Sequence, residues 1–328
     1  MYAIKTQPED FVVKEILPAS YIRESGPFTV FLLKKKDYNT ISALKVIASY
    51  LSLPLRAIGF AGNKDRRAVT EQFITVAGLS KDAFDAFSHD NIDVVFAGYA
   101  AKELHLGNLV GNAFDVVLRD CQRAPVPRKR IVNYFGEQRF SENNAAIGKA
   151  MLRKDFKEAC GLIMQSDLQK ESIQIYLKKH PNDYVGALQL LPQKLLSLFL
   201  NAYQSKLWNR LVSSLVEEHA EGSIEISGDV LHIADGEYED MPIVGFETEL
   251  ERSPYKGQIE AVLEKEGFAQ RDFLIPQLKR LALMGSYRQV HVDLKAVSLE
   301  IIDDHAYKIS FQLPKGSYAT VAMRQFFI

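Results

Sequence analysis

Up to about residue 143 the apolar runs are short and rich in β-branched and aromatic residues. Phe11 to Val13, Phe28 to Leu33, Ala57 to Ala61, Phe73 to Val76, Val94 to Tyr99 and Phe114 to Leu118 read as strands. One helix breaks the series, with Thr40 placed to cap it and Ile41, Leu44, Ile47, Ala48 and Leu51 on one face. Beyond residue 143 the spacing turns helical, through Ile147, Met151 and Phe156 to Met164, then Ile173 to Lys179. Pro192 suits the first turn of a long helix to about Glu218, with Leu195, Leu198, Phe199, Ala202, Leu207 and Leu211 inward. Another helix is expected at Gln258 to Glu266, after which Tyr307, Ile309, Phe311 and Leu313 alternate with Lys308, Ser310 and Gln312. Strands, a mostly helical middle and strands again predict an α+β sheet domain interrupted by an inserted domain.

Composition narrows the class. The 328 residues, 47% hydrophobic and 25% charged, exclude disordered and collagenous chains and fit about two domains. No run approaches the ~18 apolar residues of a membrane span, and Met1 to Glu15 lacks a signal peptide's apolar core. Cys121 and Cys160 stand far apart without a CxxC, so no disulfide framework or zinc ribbon is suggested, and a cytoplasmic protein is expected. The net charge of −1 hides a segregation. Glu221 to Arg252 carries −9, whereas Arg119 to Arg139 carries +4. That distribution lets a polyanion lie on one face, and equally suits a solvated charged surface.

The phosphate-binding GxxxxGK[ST] and dinucleotide-binding GxGxxG patterns are absent, as are GxSxG and HExxH, and no two of the seven His have metal-ligand spacing. No metal or nucleotide cofactor is therefore expected. Two stretches carry candidate chemistry. In Gly62 to Gln72, GNKDRRAVTEQ, Asp65 sits in a polar loop between two apolar strands with Lys64, Arg66 and Arg67 around it. Neighbouring cations favour the ionised carboxylate, as a nucleophile requires, although a solvated turn has the same composition. In Asn133 to Phe140, NYFGEQRF, rings stand beside an amide and Arg139, just after Arg128-Lys129-Arg130. Rings stack on unpaired bases, amides read base edges and Arg pairs with phosphate; Tyr134, Phe135 and Phe140 also fit the core side of a strand.

GNKDRRAVTEQ resembles the signature of the TruD family of tRNA pseudouridine synthases, and NYFGEQRF its second block. KTQPEDFVVKE from Lys5, LGNLVGNAFDVVLR from Leu106, AYQSKLWN from Ala202 and LPKGSYATVAMR from Leu313 follow in order, so the resemblance spans nearly the whole chain. Ser141 stands where the family usually has Gly. The resemblance implies a cofactor-free isomerisation of uridine in tRNA to pseudouridine, with position 13 the expected target and the base flipped from its stack. Asp65 would be the catalytic carboxylate. Phe135 would stack on the base, while Asn133 would hydrogen-bond near it and help position Asp65. Lys5, Phe11, Glu15 and Lys64 would line or brace the pocket, with Phe11 alternatively core and Lys64 alternatively a phosphate contact. Arg128, Lys129, Arg130 and Arg139 would meet the RNA backbone.

The implied architecture is a pseudouridine synthase-like mixed sheet from 1–155 and 286–328, with 156–285 as the inserted TruD-specific domain. The two would face each other across a basic cleft, with the acidic segment 221–252 turned away from RNA. A monomer acting on tRNA, without a membrane partner, is expected. A synthase of broader RNA range and a non-catalytic RNA-binding protein on the same fold are the alternatives. The intact Asp65 argues against the second, because a carboxylate near a polyanion weakens simple binding.

Overall fold

The computed structural model describes residues 2–137, 143–166, 170–278 and 281–328. By packing, the chain divides into one unit of Met1–Arg130, Asp293–Ala319 and Phe327, and a second of Ile131–Val292, Thr320–Phe326 and Ile328.

The first unit is built on an eight-stranded mixed sheet. Its strands are β1 (Phe11–Ile16), β2 (Phe28–Lys36), β3 (Ile58–Phe60), β4 (Val69–Ala77), β5 (Ile92–Ala100), β6 (Gly111–Leu118), Lys295–Asp303 and Ala306–Pro314. From one edge the order is Lys295–Asp303, Ala306–Pro314, β6, β1, β4, β2 and β5, with β3 also paired to β4. β1 and β4 run parallel; the other pairings are antiparallel. The expected alternation in the Ala306–Pro314 strand holds, with Tyr307, Ile309, Phe311 and Leu313 buried. Helix α1 (Thr40–Tyr50) packs Ala43, Leu44 and Ile47 on Phe31, Leu33, Ile74 and Val76 of the sheet. Its cap is Asn39, whose Oδ1 accepts from the amides of Ile41 (2.9 Å) and Ser42 (3.2 Å). The expected cap, Thr40, instead turns into the interior.

The second unit is mostly helical: α2 (Asn144–Leu152), α3 (Phe156–Met164), α4 (Lys170–Lys179), α5 (Tyr184–Gln189), the 24-residue α6 (Gln193–Val216) and α7 (Lys256–Glu266). Short hairpins such as Gly222–Ile226 with Asp229–Ile233 complete it. The long helix starts one residue later than expected, since Pro192 stands at its N-cap position outside the helical backbone. Its inward positions include Leu196 and Leu200, while Leu195 and Leu198 are half-buried. Because α6 meets α2 and the strands Asp229–Ile233 and Met241–Ile243, it is buried over much of its circumference, and a single apolar stripe cannot describe it.

Packing boundaries fall at 130/131 and 292/293, inside the segments that the sequence assigned to the sheet domain. The reasons are local. α2 lies along α6, where a Cβ on Gly148 would run into the Phe199 carbonyl. Gln325 accepts from the Val132 amide (2.9 Å) and donates to the Val132 carbonyl (2.8 Å), tying the chain's end to the start of this unit.

A charge cluster closes the helical unit. Glu266 accepts from Lys149 (2.5 Å) and Tyr203 (2.8 Å) and pairs with Arg210, which also grips Asp229 bidentately. Burial pushes Glu266 up, but these donors outweigh it and hold the carboxyl at about 2.

Two outcomes are expected. Gly148→Val should cost about 1–3 kcal/mol by overpacking the α2–α6 contact, read as a lower denaturation midpoint. Glu266 has a folded pKa below its unfolded one, so its contribution is complete above about pH 5 and is lost as pH falls toward 2. Thermal denaturation across that range should show a shallower acid limb in Glu266→Gln than in wild type; equal slopes would remove Glu266 from the acid response.

Candidate active site

The loop between β3 and β4 carries Asp65, and neighbouring elements fix it before any substrate is considered. From α1, Thr40 Oγ1 accepts from the Lys64 amide (3.0 Å) and lies 3.2 Å from Gln72 Oε1, on β4. Gln72 Nε2 in turn donates to the Gly62 carbonyl (3.0 Å). From β1, Glu15 takes the Lys64 ammonium on Oε2 (2.5 Å) and the Phe73 amide on Oε1 (3.1 Å). From β2, Lys35 donates to the main-chain oxygen of Asp65 (2.8 Å). Lys64 and Glu15 are almost wholly buried, at 5% and 0% side-chain exposure. A buried pair of this kind holds position because neither charge has water to turn to.

Asp65 itself reaches solvent, with its side chain 31% exposed, and its Oδ2 pairs with Lys5 Nζ at 2.8 Å. Lys5 has a left-handed backbone (φ 56°), sparsely populated for a residue with a side chain. The segment around it is pinned on both sides. Ala3 bridges to Arg119 through main-chain bonds of 2.7 and 2.9 Å, and Arg119 binds the buried Asp10 bidentately (2.7 and 3.0 Å). The Arg119 guanidinium holds the Asp10 carboxyl below its ordinary range. Lys5 Nζ also lies 4.1 Å from the centre of the Phe11 ring. Arg66 turns to Asp37 and Arg67 to the Thr6 carbonyl.

Lys35 is buried, at 2% exposure. Burial pushes its ammonium down to about 8, against Asp65 and Asp37, which raise it; Lys64 adds to the lowering. It remains largely protonated at neutral pH.

In the helical unit Asn133 and Phe135 form a separate cluster with Arg288. Arg288 Nε donates to the Asn133 carbonyl (2.9 Å) and its NH2 to Asn133 Oδ1 (2.8 Å), while the guanidinium lies 4.1 Å from the centre of the Phe135 ring. Asn209 brackets the Phe135 main chain, accepting from its amide (2.8 Å) and donating to its carbonyl (2.9 Å). Trp208 packs edge-on to the same ring.

The sequence profile of the family described as tRNA pseudouridine synthase D (TruD) matches residues 2–176, 164–241 and 238–326. The chain belongs to this TruD family. The tRNA pseudouridine synthase D of Aquifex aeolicus is 31% identical over 99% of this chain and 97% of its own. A relative in Methanopyrus kandleri is 30% identical over 92% of this chain and 85% of its own. A crystal structure of a TruD protein from Methanosarcina mazei superposes with a TM-score of 0.76 at 22% identity, over 99% of this chain and 93% of that one, and so shares the fold.

Within this TruD fold, Asp65, Lys5, Phe11, Glu15 and Lys64 converge in the sheet unit, whereas Asn133 and Phe135 belong to the helical unit. Phe11 is 2% exposed, so its ring meets the Lys5 ammonium from the core. Glu15 already holds the Lys64 ammonium, which removes the alternative of Lys64 as a surface phosphate contact. Tyr134 is core, donating to the His232 carbonyl (2.6 Å). Of the basic cluster, Arg130 pairs with Asp293 (2.7 Å), Lys129 is exposed and Arg128 half-buried. Arg139, with Gln138 and Phe140, lies outside the described residues. Among the described residues no three His, Cys, Asp or Glu side chains stand where they could hold a metal, and no helix is long and apolar enough to cross a membrane.

Sequence reasoning missed Lys35, Thr40 and Arg288 as site residues. A signal existed for Lys35: it shares the period-two face of Phe31 and Leu33, where an apolar residue belongs. Arg288 lies far from Asn133 in sequence and carried no local signal.

Glu15→Gln should leave the Lys64 ammonium buried without its counter-charge and cost about 3–5 kcal/mol. Chemical denaturation checks this, and a loss below about 1 kcal/mol would show the pair to be dispensable to the loop.

Proposed function

We propose that this chain is a cytoplasmic, monomeric tRNA pseudouridine synthase whose target is the uridine at position 13. Its relatives' names supply the substrate class, and the observation that carries the chemistry is the Asp65 carboxylate. It is held on a fixed loop, paired with Lys5 and still open to solvent.

The reaction is an isomerisation. The N1–C1′ bond breaks, the uracil turns over and C5 joins C1′. C5 gives up its hydrogen and N1 takes a proton, so no net oxidation occurs and no redox cofactor is required. Asp65 acts on the ribose or the base, and Lys5 supplies the counter-charge that orients its carboxylate. Base flipping costs a few kcal/mol. The half-buried Phe135, steadied by Arg288 and Trp208, offers a ring on which the extruded base stacks. Asn133 Oδ1 already accepts from Arg288 and its Nδ2 donates to the Gln289 carbonyl (3.2 Å), so Asn133 acts by fixing the start of the Phe135 segment near the base. Arg128, Lys129, Arg130 and Arg139 meet the RNA backbone.

Tritium release from tRNA labelled at uridine C5 tests the reaction. Wild type should release label and Asp65→Ala should not, with tRNA affinity roughly intact. Release by the variant at the wild-type rate would remove Asp65 from its role. Neutralising Arg128, Lys129 and Arg130 together should weaken binding and flatten the salt dependence, by about 0.7–0.9 in log–log slope for each phosphate no longer neutralised. An unchanged slope would place the RNA footprint elsewhere.

A further inference from the structure

Lys35 is a buried charge for which the reaction as described has no use. Along β2 the inward positions run Phe31, Leu33, Lys35, so an ammonium occupies the end of a row that otherwise feeds the core beneath α1. Lys35 pairs in register with Thr70 of β4, five residues beyond Asp65, and its Nζ reaches the Asp65 main-chain oxygen at 2.8 Å. Removing an ammonium from water costs several kcal/mol unless something is gained from the charge. Stability alone is served as well by an apolar side chain of the same length.

We infer that Lys35 is a positioning residue for Asp65: it fixes the Asp65 peptide and holds a positive charge on the main-chain side of the residue whose carboxylate Lys5 pairs. The division of labour matters during turnover. Lys5 competes with the substrate for the carboxylate oxygens, because it binds Oδ2 directly. Lys35 does not, because it binds the backbone. Asp65 therefore keeps its place when the Lys5 contact loosens to admit the uridine. The charged groups facing Lys35 are Asp65 and Lys64 of the loop and Asp37 of the turn after β2; burial lowers its ammonium to about 8, against Asp65 and Asp37, which raise it.

The inference rests on Asp65 as the catalytic carboxylate, and two full-length variants test it by tritium release from C5-labelled tRNA. Lys35→Met keeps length and removes charge and donor. It should lower kcat about 100-fold, the scale of a ~1 Å misplacement of a catalytic group, with KM and tRNA affinity unchanged and a melting temperature at or above wild type. Lys35→Arg keeps charge and donors and should recover much of the loss. Wild-type kcat should also fall above about pH 8 as Lys35 loses its proton, and that fall should move to higher pH in Lys35→Arg. Wild-type kcat in Lys35→Met, or a loss confined to KM, overturns the inference. If Lys35→Met fails to fold, Lys35→Arg decides alone, since an alkaline limb at the wild-type position overturns it. Full activity in Asp65→Ala would instead sink the reading beneath it, so the two failures are distinct.

Discussion

Taking the Lys64 ammonium and the Glu15 carboxylate out of water costs several kcal/mol for each ion before their attraction is counted. The sheet recovers that cost only by satisfying the remaining valences. Glu15 takes the Phe73 amide on its second oxygen, and Thr40 takes the Lys64 amide. Each partner comes from a different element, so β1, β4 and α1 must all be in register for the pair to be tolerable. The Asp65 loop inherits that requirement. Between the buried Ala61 and Ala68 it is polar, and hydrogen bonds from three elements hold it, as a rigidly placed functional side chain needs.

The helical unit uses charge in the same way and for a comparable end. Arg210 between Asp229 and Glu266 ties α6 to the hairpin strand Asp229–Ile233 and to α7. Arg288 directs its fork to the main-chain and side-chain oxygens of Asn133 and lies over the Phe135 ring. Arginine suits this task because a planar, always charged group can hydrogen-bond at its edge and stack on a ring together. A lysine could supply the charge but not both contacts.

Period and spacing located the strands and helices well where one face is buried, as in Ala306–Pro314. They also located α6, where only the choice of inward residues suffered from its many-sided burial, and they gave no guidance where the inward residue is polar. Thr40 is the instructive case. A threonine before an apolar helical run is a good cap by every local rule, but Asn39 takes that role and Thr40 serves the Asp65 loop from the helix's first turn. Lys35 and Glu15 occupy core positions of their strands, and only the pairing of β2 and β1 with β4 brings them to one loop. The family resemblance named Glu15 and Lys64 but not their mutual bond. The basic run was legible as charge, not as partners: Arg119 is committed to Asp10, and Arg130 meets Asp293.

An enzyme that works on RNA with a carboxylate faces opposed demands, since the charge that does the chemistry also repels the phosphates around it. Solvent alone would screen the repulsion, but a site emptied of water for a flipped base loses that screening. Here ammonium groups surround the carboxylate: Lys5 pairs with Asp65, Lys35 binds its main-chain oxygen and Lys64 is taken up by Glu15. Burying two of the three ammonium groups keeps them off the RNA backbone, where they would bind phosphate and be drawn away from the loop. Overall charge is then a poor guide to such a protein: a chain at −1 can still surround a carboxylate with ammonium groups.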